Sequence, residues 1–342
     1  MHIGTFENFT TCYLALIENV YNAPQYISAP RGQKIKEVLG ATFTISDARQ
    51  RLPYVAGRKF SLTYLVAELT WYLSGNNKTE WISKYSSFWK DITDDGTTAN
   101  SAYGSRLFLP HDSIASSRFV QWDYVVEELR RDPDSRRAIM HLRVPADSID
   151  AKLDVPCTLA LQFFIRDNKL HQIAMMRSSD IIFGIAYDVP AFTMFQEILA
   201  NELGVAVGSY THMSNSLHIY ERHFDMAARI LKRENFESSM AWGRKRARTN
   251  ADICAISTGS SLSKIRSTII NDLIEFEAVI SSETDDIKIL KLVNAFQAPD
   301  FWKDYAIVFA AKRLKDLNFR PQYKQLMKNL SNSEYDFYVR KL

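Results

Sequence analysis

The chain has 342 residues, 46% of them hydrophobic and 24% charged, which is enough apolar material for one large domain or two smaller ones. Lys+Arg number 42 against Asp+Glu 39, a net charge of +3; this balance argues against a general nucleic-acid binder and leaves specific anionic ligands open. The three cysteines, Cys12, Cys157 and Cys254, are far apart and lack CxxC spacing, which argues against a disulfide framework or a zinc site and fits a reducing, cytoplasmic setting.

The amino-terminal stretch has no basic n-region, and no uncharged apolar run is long enough to span a bilayer, so neither a signal peptide nor a membrane span is expected. Apolar residues at helical spacing (Phe9, Tyr13, Leu16, Ile17, Val20) predict a helix over 8–22, followed by a loop with Pro24, Pro30, Arg31 and Gly32. Residues 41–46 alternate like a strand. Residues 61–75 predict a buried helix capped by Ser61 and ended by Gly75, with Glu68 inside its apolar run. Residues 76–117 read as loop-rich and aromatic. A helix then ends near Asp132-Pro133, and 138–144, 158–166 and 171–177 read as strands, the last two joined by a hairpin at Asp167-Asn168. Residues 189–204 form an amphipathic pattern with Gly204 as C-cap, and 210–223 alternate in part. Beyond a basic run (Arg244, Lys245, Arg246, Arg248) and a small polar linker at 257–263 come three helix-like segments, 264–281, 285–298 and 300–330. A boundary is expected near 250–258, and there is no internal repeat.

Cys157 follows Pro156 at a strand start, where a cysteine ordinarily serves as a small buried hydrophobe. Arginines near a thiol lower its pKa and favour the thiolate. Arg136-Arg137 follow an Asp-Pro-Asp-Ser turn and Arg177-Ser178 close a strand, so together they could cradle a phosphate; alone, the Arg136-Arg137 pair would read as a solvated face. The ordered combination decides: DPDSRR (132–137), Pro156-Cys157, Gln162-Phe163, Arg177-Ser178-Ser179-Asp180 with Gly184, His218-Ile219-Tyr220, and upstream ELTWYLSG (68–75) and Tyr103-Gly104. This series resembles the thymidylate synthase superfamily over roughly residues 10–230, and no resemblance extends beyond.

The resemblance implies an α+β fold of three layers with a large mixed β-sheet over 1–250, followed by a helical C-terminal extension over 251–342. It implies Cys157 as the nucleophile that adds to C6 of a pyrimidine nucleotide, with 5,10-methylenetetrahydrofolate as one-carbon donor and no metal. Arg31, Arg136, Arg137, Arg177 and Ser178 would hold the phosphate, the Arg136-Arg137 pair coming from the other subunit of a homodimer. His218 and Tyr220 would hold the sugar hydroxyl. Glu68 would belong to the proton-transfer network and Tyr103 would act near the C5 proton. Asp180, Trp89 and Gly184 would lie at the folate, with Gly184 a close-approach turn.

The chain departs from that pattern at Asp188, where the family's asparagine pairs with uracil. A carboxyl group instead complements the N3 and N4 edge of cytosine, as in the superfamily's deoxycytidylate hydroxymethylases; an alternative is that Asp188 merely caps the 189–204 helix. Thr158 replaces the usual histidine after the cysteine, and Ser214-Asn215-Ser216 replaces the usual GGD. The expected activity is 5-hydroxymethylation of a cytosine nucleotide, dCMP before CMP. Alternatives are its methylation, thymidylate synthesis, and a non-catalytic nucleotide or RNA binder using the Arg244–Arg248 run. No membrane or nucleic-acid partner is expected otherwise.

Overall fold

The structure is a computed structural model. It describes all residues except 56, 113–117, 150–151, 240–253, 257–259, 333–334 and 336–342, so the Arg244–Arg248 run lies outside the described residues. The strands are β1 (His2–Phe6), β2 (Tyr26–Ser28), β3 (Ile35–Ile45), β4 (His111–Asp112), β5 (Arg118–Phe119), β6 (Ile139–His141), β7 (Thr158–Arg166), β8 (Lys169–Met176), β9 (Ser179–Asp180) and β10 (Ala206–Tyr220). The α-helices are α1 (Phe9–Asn22), α2 (Leu62–Ser74), α3 (Thr79–Ile82), α4 (Phe88–Asp91), α5 (Tyr103–Phe108), α6 (Gln121–Arg131), α7 (Ala186–Leu203), α8 (Phe224–Ser239), α9 (Leu262–Ile265), α10 (Asn271–Ser282), α11 (Asp286–Ala295), α12 (Asp300–Asp316) and α13 (Arg320–Met327). They pack as two compact units, Met1–Lys59 with Arg106–Arg248, and Phe60–Ser105 with Thr249–Leu342.

The first unit is built on an eight-stranded mixed sheet with the path β1-β3-β10-β8-β7-β6; β2 adds to β3 and β9 to β10. Pairs β1/β3, β10/β8 and β10/β9 are parallel, and the others are antiparallel. Asp167 and Asn168 both take positive φ (51° and 57°), the backbone that a two-residue hairpin between right-twisted strands needs. α7 is buried nearly all round, with Phe192, Phe195, Ile198 and Leu199 in the core. Its Gln196 donates to the carbonyls of Leu170 (2.8 Å) and Gly208 (3.2 Å), pinning the helix to the sheet where the β10/β8 register shifts. Its Glu197 forms a buried ion pair with Arg51.

In the second unit α2 is capped as its sequence predicts, Ser61 Oγ accepting from Tyr64 N and Gly75 taking φ 75°. Arg266 donates to the free carbonyls of Leu73 (2.8 Å) and Ser74 (3.2 Å) at the helix end. Glu277 on α10 accepts from Trp81 Nε1 and the Tyr85 hydroxyl, both at 2.8 Å, and pairs with Lys84. Phe309 on α12 packs against the rings of Trp81 and Tyr85.

Several sequence expectations are corrected. The strand expected at 41–46 begins at Ile35; its first half does not alternate, since the buried Ile35 and Val38 are three residues apart and are followed by exposed Leu39 and Gly40, so period two is visible only from Ala41. The loop-rich 76–117 stretch contains the short helices α3, α4 and α5. The helix-like stretch 300–330 is split where Asn318 turns left-handed (φ 65°). A continuous helical segment, Ile181–Leu203, is by length and composition apolar enough to cross a membrane; 83% of its apolar window is buried inside the protein, which is the signature of a core helix.

Candidate active site

The site residues are best taken unit by unit. In the first, Cys157 is half-buried just before β7. Its carbonyl accepts from Arg177 N (2.9 Å), and the Arg177 guanidinium donates to Pro156 O (3.0 Å) and Val155 O (2.8 Å). The arginine thus grips the backbone that carries the thiol. A guanidinium has five N–H donors, so groups remain for an anion. Burial pushes the thiol above its ordinary 9.0; Arg177 and Arg31 pull it down, while Asp188 and Asp154 push it up. Sγ therefore sits among two guanidinium and two carboxylate groups, protonated at rest. Arg31 holds φ 52°, ψ 33°, a left-handed backbone that a non-glycine residue adopts at a cost and that marks functional loops.

Asp180 caps the turn after β9: its two oxygens accept from Ile182 N (3.0 Å) and Phe183 N (3.2 Å). A π-helical turn, Ile181–Ile185, leads into α7, so the helix begins at Ala186, three residues before its expected start. Asp188 consequently lies inside the first helical turn and is not the cap; the capping carboxylate here is Asp180. Asp188 Oδ2 lies 3.5 Å from where a Cβ on Gly184 would sit, an ordinary contact, so among the described residues nothing demands glycine at 184. His218 is 4% exposed, its Nδ1 3.3 Å from Ser216 O and its ring edge-on to Tyr220 at 4.9 Å. Burial lowers the His218 pKa, against the opposing pull of Asp180. Burial raises that of Tyr220, which lies within electrostatic reach of Asp180, Arg31 and Cys157. Cys157, Arg31, Arg177, Asp180, Asp188, His218 and Tyr220 are thus gathered in one place, with Ser178 half-buried beside Arg177.

Arg136 and Arg137 are not part of that gathering. Buried Ser135 donates to Glu128 (2.6 Å) and accepts from Arg137 N (3.1 Å), and Gln162 donates to Arg136 O (3.0 Å). This fixes the turn and presents both side chains outward, exposed and without a guanidinium partner among the described residues.

The second unit carries Glu68, Trp89 and Tyr103. Glu68 is 5% exposed; burial raises its pKa from an ordinary 4.5 to about 7, although hydrogen bonds from the Tyr64 (2.5 Å) and Tyr72 (3.4 Å) hydroxyls favour the carboxylate. Trp89 Nε1 donates to the Tyr64 hydroxyl (3.0 Å), and its ring packs against Trp71. Tyr103 stacks on Tyr72 at 5.3 Å. A Cβ on Gly104 would fall 1.7 Å from Tyr72 O, so this glycine is required for α5 to approach α2.

Sequence reasoning missed Tyr64 and Tyr72, although both lie four residues from Glu68 and hence on its helix face. It also missed a buried chain in the first unit, in which Tyr210 bonds His212 Nδ1 (2.8 Å) and His212 Nε2 bonds Ser179 (3.1 Å). Burial lowers His212 to about 3, so the ring is neutral; alternation along β10 was the available signal. Among the described residues no cluster of three or more His, Cys, Asp or Glu could hold a metal ion.

The sequence pattern of thymidylate synthase matches residues 11–258. A deoxyuridylate hydroxymethyltransferase of Bacillus phage SP01 is 32% identical over 219 residues, covering 62% of this chain and 57% of the relative. A thymidylate synthase of Bacillus phage phi3T is 29% identical over 193 residues, covering 56% of this chain and 69% of the relative. The chain thus spans less than two thirds of the length of the first of these.

Proposed function

Because the chain belongs to the thymidylate synthase family, we propose that it is a one-carbon transferase acting at C5 of a pyrimidine nucleotide, and that its product is a 5-hydroxymethylated cytosine nucleotide, with dCMP preferred. The single observation that carries the reading is that the Arg177 guanidinium, which grips the backbone just before Cys157, and the Asp188 carboxyl both lie within electrostatic reach of the thiol. The Cys157 thiol gives up its proton to solvent and adds to C6 as the thiolate, the charged form that Arg177 and Arg31 favour. The Asp188 carboxyl accepts from the N4 amino group and shares a proton with N3, which draws electrons from the ring as C6 is attacked. Arg177, Ser178 and Arg31 hold the phosphate, and His218 and Tyr220 the sugar hydroxyl. Exposed Arg136 and Arg137 support a homodimer in which each copy lends this pair to the other.

Glu68, with a pKa about 7 and hydrogen-bonded by Tyr64 and Tyr72, is suited to take up and return a proton at neutral pH, and Tyr103 acts near the C5 proton. Methylenetetrahydrofolate supplies the one-carbon unit when bound. The fit of this chain to it rests on Asp180, whose oxygens each accept one backbone N–H and keep acceptor capacity, on half-exposed Gly184, and on Trp89, held by Tyr64. Water capture at the new exocyclic carbon gives the hydroxymethyl group, in keeping with the name of the SP01 relative. We take 1–250 as the catalytic domain and 251–342 as an added helical segment; the family pattern runs to residue 258, and the added helices pack with Phe60–Ser105 as one compact unit.

That relative's name also supports a second reading, hydroxymethylation of a deoxyuridylate; Asp188 weighs against it, since a mismatched hydrogen-bond edge in a buried site discriminates by several kcal/mol. The test is one assay: the purified chain with methylenetetrahydrofolate and dCMP, CMP or dUMP, products weighed by mass spectrometry. Hydroxymethyl-dCMP supports the proposal. Turnover of dUMP alone selects the second reading, and a methyl product with dihydrofolate formed overturns hydroxymethylation.

A further inference from the structure

We infer that the unit formed by Phe60–Ser105 and the C-terminal helices carries a second small-molecule site, which takes an organic anion with an apolar body. A cavity of about 260 Å³ opens between the start of α2, the Lys84-Tyr85 turn, α12 and α13. Its volume suits a single substituted ring and is at the small end of ligand pockets. Val308, Ala311 and Met327 form an apolar floor. Around it stand three ammonium groups, Lys84, Lys312 and Lys315, against the single carboxylate of Asp316. Lys84 is fixed by Glu277 at 3.1 Å and Lys312 pairs with Asp316, whereas Lys315 has no ion-pair partner among the described residues.

A further observation points inward. Tyr323 lines the cavity and is only 8% exposed, yet its hydroxyl has no hydrogen-bond partner among the described residues. A buried hydroxyl is costly to leave unpaired, and an anionic oxygen in the cavity would accept its proton. Cations, a buried donor and an apolar floor together describe a phosphate or carboxylate carried on a ring or chain. One wall is Tyr64, the residue that donates to Glu68, so an occupant touches the hydrogen-bonded chain around that carboxyl. The cavity uses none of Cys157, Arg31 or Arg177 and stands independently of the proposed nucleotide site.

The test follows the Met327 methyl signal in the full chain labelled with ¹³C-methyl methionine, assigned through Met327→Leu, during titration with phenyl phosphate, benzoate or inorganic phosphate. The expected result is a saturable shift with at least one aromatic anion, unchanged in Arg177→Ala, roughly tenfold weaker in Lys312→Gln/Lys315→Gln and weaker in Tyr323→Phe, about the loss of one charge-assisted contact. Phenyl phosphate against benzoate decides which anion is preferred. Inorganic phosphate binding as tightly as phenyl phosphate would overturn the apolar part. A Met327 signal unmoved by both aromatic anions at millimolar concentration, or equal binding by the folded lysine variants, would overturn the site.

Discussion

Replacing Glu68 by glutamine isolates the proton that this carboxyl holds. Folding raises its pKa from 4.5 to about 7, and each tenfold change in proton affinity is worth about 1.4 kcal/mol, so the gap amounts to about 3 kcal/mol. The sign follows from linkage. Below pH 4.5 both folded and unfolded chains carry the proton. Between 4.5 and 7 the unfolded chain releases it and the folded chain keeps it, so stability falls as pH rises through that window and levels off above it. Glutamine is neutral throughout, and its carbonyl can still accept from Tyr64 and Tyr72. Urea unfolding followed by tryptophan fluorescence, which reads Trp71, Trp81, Trp89 and Trp302 in this unit, should therefore show Glu68→Gln gaining about 3 kcal/mol on the wild type between pH 4.5 and pH 8. A stability difference that stays constant with pH to within about 0.5 kcal/mol would refute the buried, proton-holding carboxyl.

Gly104→Ala places a methyl 1.7 Å from Tyr72 O; since backbone must move, a loss of about 3 kcal/mol or more in denaturant midpoint stability is expected. Arg51→Met strands buried Glu197, whose other cationic neighbour is Arg49 at 3.6 Å, and should cost about 3–5 kcal/mol by the same measurement. Asp188→Asn should move kcat/KM from cytosine toward uracil nucleotides by two or more orders of magnitude, about 3 kcal/mol; unchanged preference would separate Asp188 from base recognition. With its pKa raised above 9, the Cys157 thiol of the free protein should alkylate with iodoacetamide at a rate that climbs beyond pH 9, and Arg177→Ala, by removing the cation that most favours the thiolate, should push that climb higher still.

Much of this was legible in the sequence where one local rule governs. Ser61 and Gly75 bound α2 by cap chemistry, Asp167-Asn168 turn a hairpin by positive φ, and Gly204 ends α7. The start of α7 was misread because a π-helical turn precedes it and the cap, Asp180, stands eight residues before Asp188. The residues around Cys157 come from segments as distant as Arg31 and Tyr220, and periodicity alone carries no information about such meetings; the ordered motifs supplied it. Helical spacing from Glu68 and alternation along β10 could have placed Tyr64, Tyr72 and the Tyr210-His212-Ser179 chain, but a buried tyrosine or histidine reads in sequence like any core residue, so their hydrogen bonds went unread.

The packing of α2 with α10 and α12 also sets a timetable. Helix α2, with buried Trp71 and Leu73, leaves the ribosome about 175 residues before Thr249, where the rest of its unit begins. At roughly 5–20 residues per second, that apolar surface waits on the order of ten seconds or more for α10 and α12 to be synthesised. The nascent chain therefore passes through an interval in which its most hydrophobic helix is made but unpartnered, a natural point for chaperone capture, and one that a stop codon before residue 260 would make permanent.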